Sequence, residues 1–178
     1  MIFTETNLLG SFIVEPEKIS DERGFFARTF DKKIFGEKNI CSNFVQSNIS
    51  FNKKKGTIRG LHYQKNPFEE EKLVHCTHGS VFEVIVDLRP NSTTFKKWIS
   101  IILDAENNKM LYVPKGCALG FQTLDDNVAL NYHMSEYYQS SSSGGILWND
   151  SDLNIKWPLV PTVISKKDLG LPTLKSII

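Results

Sequence analysis

Long apolar runs are missing from this sequence. No stretch approaches the roughly 20 consecutive apolar residues that a membrane-spanning helix needs. The opening segment, MIFTETNLLG, has no basic region leading into an apolar core, so neither a span nor a secretory signal is expected. Charge of one sign is missing too: 21 Lys and Arg stand against 20 Asp and Glu, a net charge of +1. That balance argues against nucleic acid or a membrane surface as a partner. Even Lys53-Lys54-Lys55 reads as an exposed loop. Cysteine is scarce: Cys41, Cys76 and Cys117 are an odd number at scattered spacings, with no CxxC pair. A disulfide framework is thereby excluded, and free thiols in a reducing, cytoplasmic compartment are expected. Also absent are a GxSxG nucleophile elbow, a P-loop and a dinucleotide fingerprint. No cysteine sits in an activating context.

What is present is a succession of short strand signals. They fall at 12–15, 24–30, 43–50, 57–64, 72–77, 80–89, 97–103 and 110–114, followed by LGFQTL and NVALNYHM. Turn residues separate them, as in RPNS, AENN, VPKG and LDDN. Evenly spaced short strands predict an all-β sandwich or barrel formed as one domain over residues 1–178. Only KKIFGEK at 32–38 reads as helix. Past residue 138, SSSSGG predicts a flexible loop, and WPLVPTVISKKDLGLP is too rich in proline for a core strand.

Alternation sorts side chains onto faces. In SVFEVIVDLR, Phe82, Val84, Val86 and Leu88 form an apolar face expected to pack between sheets. Val81, Glu83, Ile85 and Asp87 form a mixed face that suits the wall of a polar cavity. In NVALNYHM, Tyr132 falls among Val128, Leu130 and Met134, where a phenol needs a partner or a task. GTIRGLHYQ, at 56–64, puts a cation, an imidazole and an amide on one strand. Histidine clusters of metal-ligand type are lacking: His75 and His78 have odd separation on a strand and point to opposite faces, and the PxG turn at Pro114-Lys115-Gly116 leads to Leu119, not histidine. No metal is therefore expected, and His75, His78 and His133 read as surface or structural residues. The remaining chemistry is proton transfer, for which His62, Tyr132, Lys72 and several carboxylates are candidates.

Taken in order, DERGFFARTF, FVQSNISFNKKKGTIRGLHYQ, EKLVHCTHGSVFEVIVDLRPNSTTF, LYVPKGCALGF, NYHMSEYY, WNDSDLNIKWP and ISKKD resemble the dTDP-4-dehydrorhamnose 3,5-epimerase family over nearly the whole chain. The resemblance implies a metal-free, cupin-like jelly-roll barrel, a homodimer formed partly by exchange of N-terminal strands, and a cofactor-independent isomerase acting on a nucleotide-linked 4-keto-6-deoxy sugar. It makes His62 the base, Asp168 the carboxylate that orients it, Lys72 the cation beside the ketone oxygen and Tyr132 the proton donor to the opposite face. Arg23 and Arg59 become phosphate- or nucleotide-binding residues, Gln46, Ser47, Asn48 and Lys167 contact substrate, and the glycines beside His62 are expected to let substrate approach. Three positions depart from the family pattern: Arg28 stands where a base-reading glutamate is common, Leu119 replaces a substrate-facing histidine, and Ser143 stands where a glutamate is frequent. Arg28 suggests a nucleotide other than dTDP, GDP- or CDP-linked, and Leu119 leaves open whether C3, C5 or both invert. The alternatives are a 3,4-ketoisomerase and a non-catalytic sugar-nucleotide binding module; the presence of His62, Lys72, Tyr132 and Asp168 together favours epimerisation.

Overall fold

The computed structural model describes residues 1–178. Its strands run β1 (Ile2–Glu5), β2 (Phe12–Glu15), β3 (Lys18–Asp21), β4 (Gly24–Ala27), β5 (Gln46–Asn52), β6 (Thr57–Gln64), β7 (Lys72–His78), β8 (Ser80–Asp87), β9 (Trp98–Asp104), β10 (Met110–Val113), β11 (Cys117–Thr123), β12 (Val128–Met134), β13 (Ser143–Gly145) and β14 (Val163–Ile164). Two short helices interrupt them, α1 (Lys32–Glu37) and α2 (Lys166–Leu169). Asp31 caps α1, its carboxylate accepting the Lys33 and Ile34 N–H groups.

Six strands form one sheet in the order β1-β2-β10-β7-β12-β5, and a second runs β13-β6-β11-β8-β9 with β14 parallel against β6. All other pairings are antiparallel. This is the all-β architecture that the strand rhythm implied, in the jelly-roll-like form that the family resemblance implied. The β3–β4 hairpin stands apart as its own two-stranded ribbon.

Between the sheets, Val74, Cys76 and Leu130 from the first pack with Val81, Ile85 and Phe121 from the second. The mixed face of β8 therefore looks inward. Its apolar face does not pack between the sheets, as alternation had suggested. Val84 and Val86 point outward, where Leu61, Ile146, Leu153, Ile155 and Leu174 bury them. The C-terminal segment supplies this third layer, pinned by the indole N–H of Trp98 donating to Leu153 O at 2.8 Å and that of Trp157 donating to Trp148 O at 2.8 Å. A side-chain amide of Gln122 also donates to Leu159 O and accepts the Leu159 N–H, at 2.9 and 3.0 Å. Part of the expected SSSSGG loop is likewise ordered: Ser143–Gly145 forms the edge strand β13 against Gln64, Tyr63 and His62. On the outer face of the first sheet, Phe35 of α1 is buried against Leu73, Met110 and Tyr112.

Candidate active site

A cavity of about 340 Å³ opens between the two sheets. His62 reaches it from β6, Tyr132 from β12, Lys72 from the start of β7 and Leu119 from β11. Arg59, Ser143 and Lys167 also line it. Leu119 is the cross-strand neighbour of His62, so the residue that replaces histidine in the GCALGF segment touches the imidazole's own surroundings.

Asp168 lies 106 residues from His62 in sequence, yet its Oδ1 is 2.7 Å from His62 Nε2. Two local features make this possible. Pairing of β14 with β6 brings the C-terminal segment alongside Ile58, and Ser165 caps α2 by accepting the Asp168 N–H at 3.0 Å. Asp168 is buried, and its Oδ2 accepts the Gly60 N–H at 3.3 Å. Burial raises its pKa, but the His62 hydrogen bond and charge and the Gly60 and Ser165 contacts outweigh that, holding the carboxyl below its usual range. A carboxylate at Nε2 favours the tautomer with hydrogen there, leaving Nδ1 with its lone pair free to act as a base. Tyr132 comes from the opposite sheet. Burial raises its phenol pKa, with the Arg59 charge opposing weakly, so the hydroxyl keeps its proton at neutral pH.

Arg59 donates through Nε to Asn52 Oδ1 at 2.7 Å and through a terminal nitrogen to Phe51 O at 3.2 Å. These bonds hold a cation at the mouth. Gln46 and Asn48 brace the wall: Gln46 donates to Asn48 Oδ1 at 3.1 Å and accepts the Tyr138 N–H at 3.1 Å, and Tyr138 lines the cavity. Ser47 points the other way. Its hydroxyl bonds Asn131 at 3.2 Å on the outer face of the sheet, because successive β-residues alternate sides. His75 and His133, half-buried on strands of that sheet, have pKa values lowered by burial.

Arg23 and Arg28 are not lining residues of this cavity. Arg23 is bound to Asp21 at 2.5 Å on the β3–β4 hairpin, and Arg28 pairs with Asp31 at 2.9 Å. The glycines also serve differently from expectation. A Cβ on Gly60 would lie 2.6 Å from Leu119 O and 2.8 Å from Gly120 Cα, so its role is close approach of β6 to β11 rather than room for substrate. Gly56 faces Val160 and Thr162.

Two lining carboxylates escaped the sequence reading as site residues. Glu83 was signalled only by its place on the mixed face of β8. Glu70 sits in the run Glu69-Glu70-Glu71, which reads as a solvated charge cluster, yet it is 6 % exposed and forms an ion pair with Lys72 Nζ at 2.5 Å.

With this geometry in hand, comparison with known proteins is specific. Residues 5–176 match the profile of the dTDP-4-dehydrorhamnose 3,5-epimerase family. The chain is 41 % identical to the dTDP-4-dehydrorhamnose 3,5-epimerase of Escherichia coli K12, covering 97 % of this chain and 94 % of that protein. The Bacillus anthracis dTDP-4-dehydrorhamnose 3,5-epimerase, solved with TDP and PPi bound, superposes with a TM-score of 0.94 at 43 % identity, over 97 % of this chain and 99 % of that one. The Legionella pneumophila dTDP-6-deoxy-D-glucose-3,5-epimerase, solved with dTDP-4-keto-L-rhamnose, gives 0.93 at 38 % identity, over 99 % and 94 %.

Proposed function

The chain belongs to the dTDP-4-dehydrorhamnose 3,5-epimerase family and is an epimerase, and from that premise we propose that it inverts C3 and C5 of a dTDP-linked 4-keto-6-deoxy sugar. A C4 ketone acidifies the hydrogens on both neighbouring carbons, because the carbanion left behind delocalises onto oxygen as an enolate. His62 Nδ1 removes the proton from one face of the ring, and Asp168 steadies the imidazolium that forms. Lys72 stabilises the charge that develops on the ketone oxygen. Tyr132 returns a proton from the opposite face, which inverts the centre. Hydrogen leaves and returns as a proton, so the reaction balances without a redox cofactor.

The observation that carries this reading is the joint presence, in one cavity, of a carboxylate-anchored imidazole from one sheet and a protonated phenol from the other. A binding module has no need of the anchored imidazole. A ketoisomerase needs only a carbonyl shift to the adjacent carbon, not delivery to the far face.

Arg59 and Lys167 hold the diphosphate, Gln46 and Asn48 support the nucleotide side, and Leu119 and Ser143 shape the sugar pocket. The relatives are dTDP enzymes, and Arg28, the reason to consider GDP or CDP, is already paired with Asp31 at 2.9 Å. The protein works as a homodimer. Ile19, Phe25 and Phe26 of the β3–β4 hairpin are 71, 53 and 67 % exposed, an apolar ribbon that a second copy would cover while receiving Arg23 near its own cavity. Light scattering that finds only monomer removes that part of the proposal.

Turnover of dTDP-4-keto-6-deoxyglucose in D₂O, followed by NMR, tests the reaction. Deuterium should enter both C3 and C5 with inversion. Exchange at one carbon alone would refute double epimerisation, and a thermal-shift preference for GDP or CDP over dTDP would refute the nucleotide.

A further inference from the structure

Two carboxylates on the cavity wall take no part in the mechanism above. Glu70 gives one oxygen to Lys72 Nζ at 2.5 Å, while its Oε2 is buried without a partner. Glu83, projecting from the other sheet, is fully buried, and neither of its oxygens has a partner. Both line the cavity, as does Lys72. Three bare carboxyl oxygens in one buried place are costly, because each has given up water and gained nothing in exchange. A ligand that brings hydrogen-bond donors removes that cost.

The chemistry of the surroundings narrows the ligand. Lys72, held against Glu70, repels a metal cation. An anionic group would meet carboxylates. A neutral ligand with several hydroxyls satisfies the oxygens without adding charge. Burial raises the pKa of Glu83 to about 8, with the Lys72 charge pulling the other way. A protonated carboxyl both donates to and accepts from an alcohol.

We propose that Glu70 and Glu83, which line the cavity together with Lys72, form a hydroxyl-recognising floor that selects sugars bearing free ring hydroxyls over their deoxy analogues. It rests on the nucleotide-sugar reading of this cavity and deepens it. Both are specificity-determining residues, distinct from the proton-transfer pair. Glu70 accepts from one ring hydroxyl through Oε2, and Glu83 engages a second. A site built to pair a hydroxyl discriminates against its absence, since the buried partner is then left bare.

The test is calorimetric binding of dTDP, dTDP-glucose and its 2-deoxy and 3-deoxy analogues to the wild-type protein and to Glu70→Gln and Glu83→Gln. In Glu70→Gln the amide oxygen stays with Lys72, which puts an NH₂ donor where the free acceptor was. The wild type is expected to bind each of the two deoxy analogues about tenfold or more weaker than dTDP-glucose, consistent with loss of a buried hydrogen bond. Each variant should shrink one of those ratios to about threefold or less while binding dTDP itself within about twofold of wild type, the range expected for a contact outside the nucleotide. Deoxy analogues that bind the wild type as well as dTDP-glucose overturn the floor, as do variants that retain full discrimination. Should Glu70→Gln melt early, Glu83→Gln carries the same test alone. Failure of dTDP to bind the wild type shows on a separate arm, and overturns the parent reading together with this one.

Discussion

Replacing Asp168 by asparagine separates charge from shape at the proposed catalytic base. The amide of the Asp168→Asn variant keeps the shape. With its oxygen turned to Nε2 it still accepts from His62, while the Gly60 N–H loses its acceptor. Turned the other way, its NH₂ would donate to Nε2 and put the hydrogen on Nδ1, so loss of charge alone sets the smallest effect. What disappears is a negative charge 2.7 Å from Nε2 at the moment His62 becomes a cation. Unit charges about 4 Å apart at an effective dielectric constant of about 20 attract by roughly 4 kcal/mol. The His62 side chain is 38 % exposed, and screening through that opening reduces the figure to about 3 kcal/mol. At about 1.4 kcal/mol per decade, kcat should fall by roughly two orders of magnitude. KM should hold within about twofold, because the imidazolium exists only after proton abstraction has begun. The assay is NMR-monitored turnover at saturating substrate, with a thermal melt to show that the variant folds. Stability supplies a second readout. The folded Asp168 pKa lies below its unfolded value. The carboxylate's stabilising contribution is therefore complete above the unfolded pKa of about 3.9 and is lost as pH falls through the folded value. Wild type should exceed Asp168→Asn in stability at neutral pH, with the gap closing below about pH 4. A kcat within about threefold of wild type, in a background where His62→Ala is inactive, would refute the charge-stabilised base.

Tyr132→Phe should uncouple exchange from inversion: deuterium still washes into the carbons that His62 deprotonates, while formation of the inverted sugar falls about 10²- to 10⁴-fold. Loss of exchange in parallel with inversion would mean that the phenol is not the donor to the far face. Gly60→Ala should cost about 3 kcal/mol or more in urea unfolding, because φ is +102° and the new methyl would meet the backbone of Leu119 and Gly120 at 2.6 and 2.8 Å. A loss below about 1 kcal/mol would show that β6 and β11 can separate there.

Much of the fold was legible as period-two alternation, and the misreading of β8 shows where that signal stops. Alternation divides Val81, Glu83, Ile85 and Asp87 from Phe82, Val84 and Val86, but it does not say which set faces the partner sheet. An all-apolar face looks like the inside of a sandwich. Here it faces outward because a third layer, built by Ile146, Leu153, Ile155 and Leu174 in mostly irregular segments, covers it. Irregular backbone has no hydrophobic period, so nothing local marked it as a cover. Glu70 was hidden for a related reason. Three consecutive glutamates look solvated, and burial of the middle one depends on Lys72, two residues on, reaching back to it within the cavity. The contact between His62 and Asp168 was legible only through family resemblance, since β14, which brings them together, is a two-residue strand in a proline-rich stretch.

The same two-sheet construction explains why an inversion suits this fold. A sugar ring held between facing sheets presents one face to each. An acid and a base on strands of different sheets are then opposed by the architecture itself, without help from mobile loops. His62 on β6 is fixed by an acceptor on the capped helix α2, and Tyr132 on β12 is fixed by pairing to both β5 and β7. Strands paired on both sides resist displacement, and proton transfer to or from carbon is sensitive to misplacement on the ångström scale. Rotating either side chain to the outer face of its sheet, as a one-residue register slip would do, removes it from the cavity altogether. The catalytic opposition proposed here is thus a consequence of register, set by the same Val74, Leu130, Val81 and Ile85 contacts that close the core.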